Sequence, residues 1–528
     1  MKKMKGWSAW VLALCLSLIS IPAYAADSAQ AKAPVITVTV DGVPVVFSKA
    51  PIHQGGTVLA EAAPLFKALG LSYRAPASDA ESFSVSKASL YIEMTPGSEV
   101  AYVNREPKEL AAAPRFVDGT LFVPLRWAAE TAGKSVEWDS AHSSIAILPA
   151  YKVIAYYISW GIYDRNYQVA DIDASNITHI NYAFANIKDG EIVVGDPWAD
   201  TDKVFPGDCE SEGCKHGNFN QLNRLKTVNP RLQTLISVGG WTWSKWFSDV
   251  AVSEESRTKF ADSAVKFVRD WGFDGVDLDW EYPVGGGLEG NINRPEDKQN
   301  YTLLLRKIRE KLDAAGQADG KHYLLTIAAG ASTSFIDNTE LDQISSVVDW
   351  INVMTYDYHG GWDTASGINS PLYYDPKDPS PGSANTYVAG TVHNFLDAGV
   401  PADKLVMGMP FYGRGWTKCK TDDNGLYQAC GGVSKGTWEA GALDIADIED
   451  HYVNKNGYTR YWNDSTKTPW LFNPADGTFI GYDDAESFSY KTRFIKDTGL
   501  AGAMFWDITS DKNGTLTGQL GKDLLGTP

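Results

Sequence analysis

The sequence predicts an α/β protein whose larger part is a closed (β/α)8 barrel, a TIM barrel. Beyond Pro149, eight short apolar strand candidates alternate with helical segments, a pattern typical of a parallel barrel rather than an open sheet. The last two strand candidates are too far apart for a loop, so residues from about 417 to 481 predict an inserted small α+β subdomain. Residues 35–149 instead show short alternating strands and predict a separate small α+β module.

Length and charge restrict the functions that the chain can have. Its 528 residues exceed one ordinary domain, and its net charge of −18 repels phosphate backbones and anionic lipids. We therefore expect neither nucleic acid nor a membrane surface as a partner. The 18 tryptophans and 25 tyrosines offer flat rings on which sugars can stack, so the composition favours a neutral or cationic polymer.

The first residues have the features of an export signal. Three lysines precede an apolar stretch, and Ala23-Tyr24-Ala25 forms a cleavage site of the A-x-A type. The apolar stretch is too short for a comfortable membrane span. We expect a signal peptide at residues 1–25, a polar linker at 26–34, and a secreted, extracellular protein without membrane contact after cleavage.

The module at residues 35–149 contains a weak internal repeat. Each copy predicts a strand, a helix (60–69 and 126–132), a glycine at the helix end and a second strand. The stretch Thr120-Leu121-Phe122-Val123-Pro124-Leu125-Arg126 resembles the small domain named after the N-terminal region of copper amine oxidases. Its histidines, His53 and His142, lack metal-ligand spacing. We therefore interpret the module as a spacer or as a contact to the cell wall, without a metal.

The barrel region is expected to run from residue 150 to 528. Strand candidates begin near Lys152, Ile177, Leu232, Phe273, Tyr323, Val347, Leu405 and Ala501. Helical patterns cover Phe219–Thr227, Glu254–Trp271, Lys298–Ala314, Asn385–Ala398 and Ala485–Thr498. In such a barrel, functional side chains lie at the C-terminal ends of the strands.

Four cysteines follow the signal segment, in two close pairs. In an exported protein we expect the disulfides Cys209–Cys214 and Cys419–Cys430, each contributing roughly 2–3 kcal/mol of stability. A metal site built from Cys209, Cys214 and His216 is the alternative. It is disfavoured because a fourth ligand is missing and because export favours oxidation.

One strand candidate carries three acidic side chains in register. Asp277, Asp279 and Glu281 alternate with apolar residues, so they share one face with neighbours about 6.6 Å apart. The apolar face must pack on helices, so the acidic face points into the barrel and Glu281 lies nearest its C-terminal mouth. On the solvated face of an antiparallel strand, the same three acids would repel one another for no gain.

Stacked carboxyl groups in a partly dry interior cannot all ionise, so at least one proton is shared among them. This arrangement keeps Glu281 protonated, as a general acid requires near neutral pH. The pattern therefore predicts an enzyme.

The segment resembles the signature D-G-x-D-x-D-x-E of the chitinases of glycoside hydrolase family 18, which is intact from Asp274 to Glu281. Further motifs of that family stand at strand ends: Ser237-Val238-Gly239-Gly240-Trp241, Met354-Thr355-Tyr356-Asp357, Met409-Pro410-Phe411-Tyr412-Gly413-Arg414 and Met504-Phe505-Trp506-Asp507. Their order makes the resemblance specific from about Tyr151 to the C-terminal region. The segment before the eighth strand resembles the family's insertion domain.

The resemblance implies a substrate-assisted mechanism. Glu281 protonates the glycosidic oxygen, and the substrate's own 2-acetamido oxygen acts as nucleophile, giving an oxazolinium ion and a product of retained β configuration. Asp279 holds the acetamido N–H and stabilises the developing positive charge, and Asp277 shares a proton with Asp279. Tyr356 donates its hydroxyl to the acetamido group.

The resemblance also implies which residues bind sugar. Trp506 is expected to form the floor of the subsite beside the cleaved bond. The other expected substrate contacts are Tyr156, Phe184, Gly239, Gly240, Trp241, Tyr282, Met354, Asp357, Tyr412 and Arg414, and Trp160, Trp243, Trp362 and Trp416 are expected to extend the cleft. Asp357 should point away from Tyr356 if the strand pleat continues. Arg414 either binds sugar oxygens or pairs with an acid such as Asp357.

These expectations describe a secreted, monomeric, endo-acting chitinase that hydrolyses β-1,4 linkages in chitin and N-acetyl chitooligosaccharides without a cofactor or metal. An endo-β-N-acetylglucosaminidase acting on peptidoglycan or N-glycans has the same fold and mechanism and stays open as an alternative. A chitin-binding lectin is a third hypothesis. Such lectins typically replace the acid, which is present here as Glu281.

Overall fold

A computed structural model describes residues 36–40, 43–78, 81–87, 90–139, 143–209, 211 and 213–527. The expected signal peptide and linker, and His142, lie outside the described residues. Across these ranges, no helix is long and apolar enough to cross a membrane.

The N-terminal module has a hydrophobic core of its own. Two strands, Thr57–Glu61 and Thr120–Pro124, pair antiparallel, and each leads into a short helix, Ala62–Ala68 and Leu125–Thr131. The strand and helix predicted for each copy are therefore present side by side. The other described strands are Thr37–Val40, Val43–Pro44, Ile52–Gln54, Ser72–Arg74, Phe83–Lys87, Leu90–Met94, Val100–Val103, Glu106–Glu109, Arg115–Val117, Lys134–Asp139 and Ser144–Pro149.

Eight parallel strands, β1 to β8, form the predicted closed barrel. They are Lys152–Ile158, His179–Lys188, Gln233–Gly239, Gly275–Asp279, Leu324–Gly330, Trp350–Met354, Leu405–Pro410 and Gly502–Trp506. Each strand pairs with its neighbours in sequence, and β8 pairs with β1 to close the cylinder. All eight strand predictions are confirmed, so the C-terminal ends of these strands share one mouth.

Helices cover the outside of the barrel. The longer ones are Gly217–Val228, Glu254–Trp271, Asp297–Asp319, Val388–Asp397 and Ala485–Thr498, and shorter ones are Gly240–Trp243, Phe247–Ala251, Thr333–Asp337, Leu341–Val347 and Thr515–Leu520. Two of the predicted helices have the predicted bounds because their ends carry strong local signals. Ser253 and Asp484 cap the first turns, and Gly272 and Gly499 adopt left-handed conformations at the ends.

An antiparallel subdomain is inserted between β7 and β8. Its elements are Tyr412–Thr417, Gly432–Val433, Ala442–Asp444, Thr459–Asn463, Thr468–Asn473, Thr478–Gly481 and the helix Ile445–His451. The sheet begins at Tyr412, earlier than the expected 417, because Tyr412 pairs with Asp444 instead of continuing β7. Trp416 is buried in the core of this subdomain, so the expectation that it extends the cleft is wrong.

Both predicted disulfides are present. Cys209 is joined to Cys214, and Cys419 to Cys430 within the insertion. His216 hydrogen-bonds the carbonyl oxygen of Cys209 at 2.7 Å. The alternative metal site is therefore wrong, because two of its supposed ligands are bonded to each other.

Candidate active site

The side chains of β4 alternate between two faces, as the sequence predicts. Val276, Leu278 and Trp280 pack into the core between the barrel and its helices. Asp277 and Asp279 lie inside the barrel, and Glu281 follows the strand end with 9% of its surface exposed. The three acids therefore lead from the barrel interior to its mouth.

Asp277 is surrounded by hydrogen-bond donors. Its Oδ2 accepts from the hydroxyls of Tyr156 and Ser237, both at 2.7 Å. Its Oδ1 accepts from Thr326 at 2.6 Å and, more weakly, from the Asn352 amide at 3.4 Å. Burial raises the pKa of Asp277 and these donors oppose that effect, so Asp277 is the acid best able to carry charge in the interior.

Asp277 was expected to share a proton with Asp279, and the donors around Asp277 explain why the two are not joined. Within the described residues, Asp277 makes no direct hydrogen bond to Asp279, because both oxygens of Asp277 already accept from other groups. Thr326 and Asn352 were not anticipated as members of the site. The available signal was their polarity within the apolar strands β5 and β6.

Asp279 has the opposite environment. It is 4% exposed, and its Oδ1 is buried without a hydrogen-bond partner. Burial, then the charges of Glu281 and Asp277, raise its pKa well above the usual range. An unpaired buried carboxyl oxygen is costly, so this oxygen marks a place where a ligand N–H can be received.

Glu281 is fixed by its backbone, and its carboxyl group has Tyr282 as a neighbour. Its N–H donates to Ser244 Oγ at 2.8 Å, and its carbonyl accepts from Asn291 at 3.0 Å. Burial raises the pKa of Glu281 to about 7, with a further contribution from the charge of Asp357 and an opposing hydrogen bond from Tyr282. Glu281 can therefore hold a proton near neutral pH, as a general acid must.

The raised pKa predicts a pH-dependent effect on stability. The folded protein binds the Glu281 proton more tightly than the unfolded chain, so stability falls as pH rises from about 4.5 to about 7. Glu281→Gln should therefore raise the melting temperature at pH 8, by the equivalent of about 3 kcal/mol, and change it little at pH 4. Glu289→Gln, on the exposed neighbouring loop, is the matched control. Equal shifts of Glu281→Gln at both pH values would contradict the burial of the acid.

Tyr356 and Asp357 follow β6, where the strand pleat ends. Asp357 adopts a left-handed conformation with φ of 59°, so it does not point away from Tyr356 as expected. Its Oδ1 accepts from the Tyr412 hydroxyl at 2.9 Å and from Arg414 Nε at 2.8 Å. The Tyr356 ring packs edge-on against Tyr412. Of the two alternatives for Arg414, the structure thus has the ion pair with Asp357.

Trp506 lies half-buried at the end of β8, on a platform of other rings. Phe184 stacks on it at 5.7 Å between ring centroids, and Tyr156 and Trp160 pack beside it. Tyr156 is only 2% exposed and donates to Asp277, so it supports that acid instead of making the substrate contact that was expected. Phe184 is also buried and serves mainly to back Trp506.

The remaining expected contacts vary in exposure. Trp160, Trp241 and Trp362 are exposed, and Tyr282, Met354, Tyr412, Arg414 and Trp243 are partly exposed. Gly239 and Gly240 have φ of 104° and 72°. A Cβ at Gly240 would lie 2.6 Å from the Phe184 ring, and one at Gly239 would lie 2.5 Å from the carbonyl oxygen of Asp279. Close approach of the chain at the end of β3 therefore requires both glycines.

Two family models match the chain. Glycosyl hydrolases family 18 covers residues 152–511, and Copper amine oxidase N-terminal domain covers residues 39–147. Chitinase A1 of Niallia circulans is 55% identical over 423 residues, which are 72% of this chain and 60% of that protein. Chitinase 1 of Aphanocladium album is 38% identical over 365 residues, 68% of this chain and 82% of that one.

Solved structures agree with these matches. Chitinase ChiA74 from Bacillus thuringiensis superposes with a TM-score of 0.70 at 47% identity, covering 72% of this chain and 70% of that chain. The family model includes the barrel, the three acids of β4 and the motifs at the strand ends. This chain therefore belongs to glycosyl hydrolases family 18, and a domain like the N-terminal domain of copper amine oxidases precedes its barrel.

Proposed function

We propose that this chain hydrolyses the β-1,4 linkages of chitin and N-acetyl chitooligosaccharides, as an endo-acting enzyme with a retaining, substrate-assisted mechanism. The observation that carries the proposal is that the three acids differ in their hydrogen bonds and in their position in the barrel. Asp277 is saturated with donors, Asp279 keeps an unpaired buried oxygen, and Glu281 reaches the mouth with a pKa of about 7. The names of the chitinase relatives support the choice of substrate.

The three acids then act on different parts of the substrate. The unpaired oxygen of Asp279 accepts the acetamido N–H and turns the acetamido oxygen toward the anomeric carbon. That oxygen attacks while Glu281 protonates the leaving oxygen, giving an oxazolinium ion. Glu281, now ionised, accepts a proton from the water that opens this ion from the β face. The charges of Asp279 and Asp277 stabilise the cation, and the Tyr356 hydroxyl holds the acetamido group.

A nucleophile supplied by the enzyme is disfavoured by the contacts of Asp357. This carboxylate is near enough for its charge to raise the pKa of Glu281, but its Oδ1 is bound by Tyr412 and Arg414. A fully deacetylated oligomer lacks the internal nucleophile and should not be cleaved. Cleavage of that oligomer, measured beside its acetylated counterpart, would rule out substrate assistance.

Substrate choice is tested on polymers. The purified protein should release N,N'-diacetylchitobiose from colloidal chitin faster than it releases any sugar from purified bacterial cell walls. Faster release from cell walls would instead favour the peptidoglycan alternative. Binding to chitin without any release would favour the lectin.

We further propose that residues 1–25 direct secretion and that the enzyme is a monomer with its catalytic part at residues 150–528.

We also propose that the module at residues 35–149 contacts the cell wall. Tyr91 and Tyr102 support that contact, because they are 43% and 48% exposed on one face of the five-stranded sheet. Replacing both with serine in the full chain should weaken its sedimentation with cell walls and leave oligomer hydrolysis unchanged. Unchanged sedimentation would contradict this role.

A further inference from the structure

Asn369 lies on the connection between β6 and the helix Val388–Asp397, completely buried. Its carboxamide makes two hydrogen bonds to different parts of the molecule. Oδ1 accepts from the Asp357 N–H at 2.9 Å, and Nδ2 donates to the Tyr412 carbonyl at 3.0 Å. One side chain thus joins the end of β6 to the first strand of the insertion.

The segment that carries Asn369 is itself anchored. The neighbouring Ser370 donates to the Thr355 carbonyl at 2.7 Å and accepts from Lys491 at 2.9 Å. Lys491 is fully buried and paired with Asp483 at 2.7 Å. Breaking a buried ion pair is strongly destabilising, so Lys491 stays in place and, through Ser370, anchors the segment that carries Asn369.

Asp357 and Tyr412, two residues of the candidate site, depend on Asn369 for their positions. Asp357 is a non-glycine residue in the left-handed region, which is unfavourable unless its surroundings hold it there. The hydrogen bond from its N–H to Asn369 does so. The Tyr412 hydroxyl then donates to Asp357 Oδ1. Asn369 therefore holds the backbones of Asp357 and Tyr412, whose side chains hydrogen-bond each other.

We propose that Asn369 is a positioning residue of the hydrolysis proposed above, holding Asp357 and Tyr412 in register beside Glu281. It touches neither the reacting atoms nor the acid. It acts through Asp357, whose carboxylate must stay near Glu281 to raise the pKa of that acid. The inference therefore rests on the proposed function, but it concerns a residue outside every motif discussed so far.

Several titratable groups face Glu281. They are Asp279 on β4, the adjacent Tyr282, and Tyr356 and Asp357 after β6. Of these, Asn369 hydrogen-bonds only Asp357. If Asp357 moves away, its charge no longer raises the pKa of Glu281, and the alkaline loss of activity should begin at lower pH.

The test is Asn369→Ala in the full chain, assayed on N-acetyl chitotetraose from pH 4 to 9. We expect kcat to fall about tenfold, because Asp357 and Tyr412 lose the hydrogen bonds that position them, with a smaller change in KM. The alkaline limb of kcat should move to lower pH. The matched control is Asn463→Ala, a buried asparagine of the insertion whose amide donates to Asp375, away from the site. It should change the melting temperature but not the pH profile.

Asn369→Asp gives a second measurement if the alanine variant does not fold. The neutral aspartic acid can both donate and accept as asparagine does, whereas the ionised form cannot donate to the Tyr412 carbonyl. Its activity relative to the wild type should therefore recover as pH falls. Folded variants with the wild-type kcat and alkaline limb would overturn the proposal, as would failure of both to fold, since Asn369 would then serve only the fold. Cleavage of N-acetyl chitotetraose by the wild type is measured in parallel. Absence of cleavage by the wild type would contradict the proposed function, whereas the results for the variants concern only Asn369.

Discussion

Glu281→Gln is expected to lower kcat on N-acetyl chitooligosaccharides by about a thousandfold, the range in which a positioned general acid contributes. Glutamine matches the shape of glutamate but has no acidic proton to transfer to the leaving oxygen. The fixed backbone of Glu281, held by Ser244 and Asn291, should keep the variant in the same position. Initial rates and chitin binding, measured on one preparation, provide the comparison.

Chitin binding is the internal control for this variant. Because Trp506 and the exposed rings of the cleft are unchanged, the variant should still sediment with chitin. Retention of more than a few per cent of the activity would show that another group donates the proton. Loss of binding together with activity would show that Glu281 holds substrate rather than protonating it.

Asp279→Asn is expected to lower kcat by about a hundredfold, comparable to the loss of one preorganised electrostatic group. The asparagine oxygen can still accept the acetamido N–H, but it cannot offset positive charge on the oxazolinium ion. Removal of an unpaired buried carboxyl from a site crowded with acids should also raise the melting temperature at neutral pH. Kinetics and thermal unfolding of the purified variant test both effects.

The control for this variant is Asp511→Asn. Asp511 is also buried, with its pKa raised by burial to about 6, but its oxygens accept from Thr515 and Thr517 instead of facing the barrel interior. We expect this control to lose stability and keep activity. Wild-type activity in Asp279→Asn would contradict the role of the Asp279 charge in stabilising the oxazolinium ion.

Features set by local patterns could be predicted from the sequence. The alternation in β4 placed Asp277 and Asp279 inside the barrel, because the side-chain period of a strand admits only two faces. The helix Glu254–Trp271 has its predicted bounds because a capping serine and a left-handed glycine flank it. The long gap before β8 likewise predicted an insertion, since a compact domain rarely contains so long a loop.

Features that depend on contacts between distant residues could not be predicted in this way. Tyr156 matches a sugar-binding aromatic in a strand pattern, but the fold places its hydroxyl on Asp277, 121 positions away. Asp357 departs from the pleat because Asn369, Tyr412 and Arg414 hold it. Trp416 is covered by strands that follow it in the chain. In each case a partner remote in sequence decides the orientation.

The central claim is that the sugar's own acetamido group attacks while Glu281 supplies the proton. Proton NMR of the anomeric signals during the first minutes of hydrolysis of N-acetyl chitooligosaccharides tests it most directly. Two displacements at the same carbon predict that freshly released product is the β-anomer, with the α-anomer appearing later by mutarotation. The α-anomer as first product would mean a single displacement by water and would contradict the account.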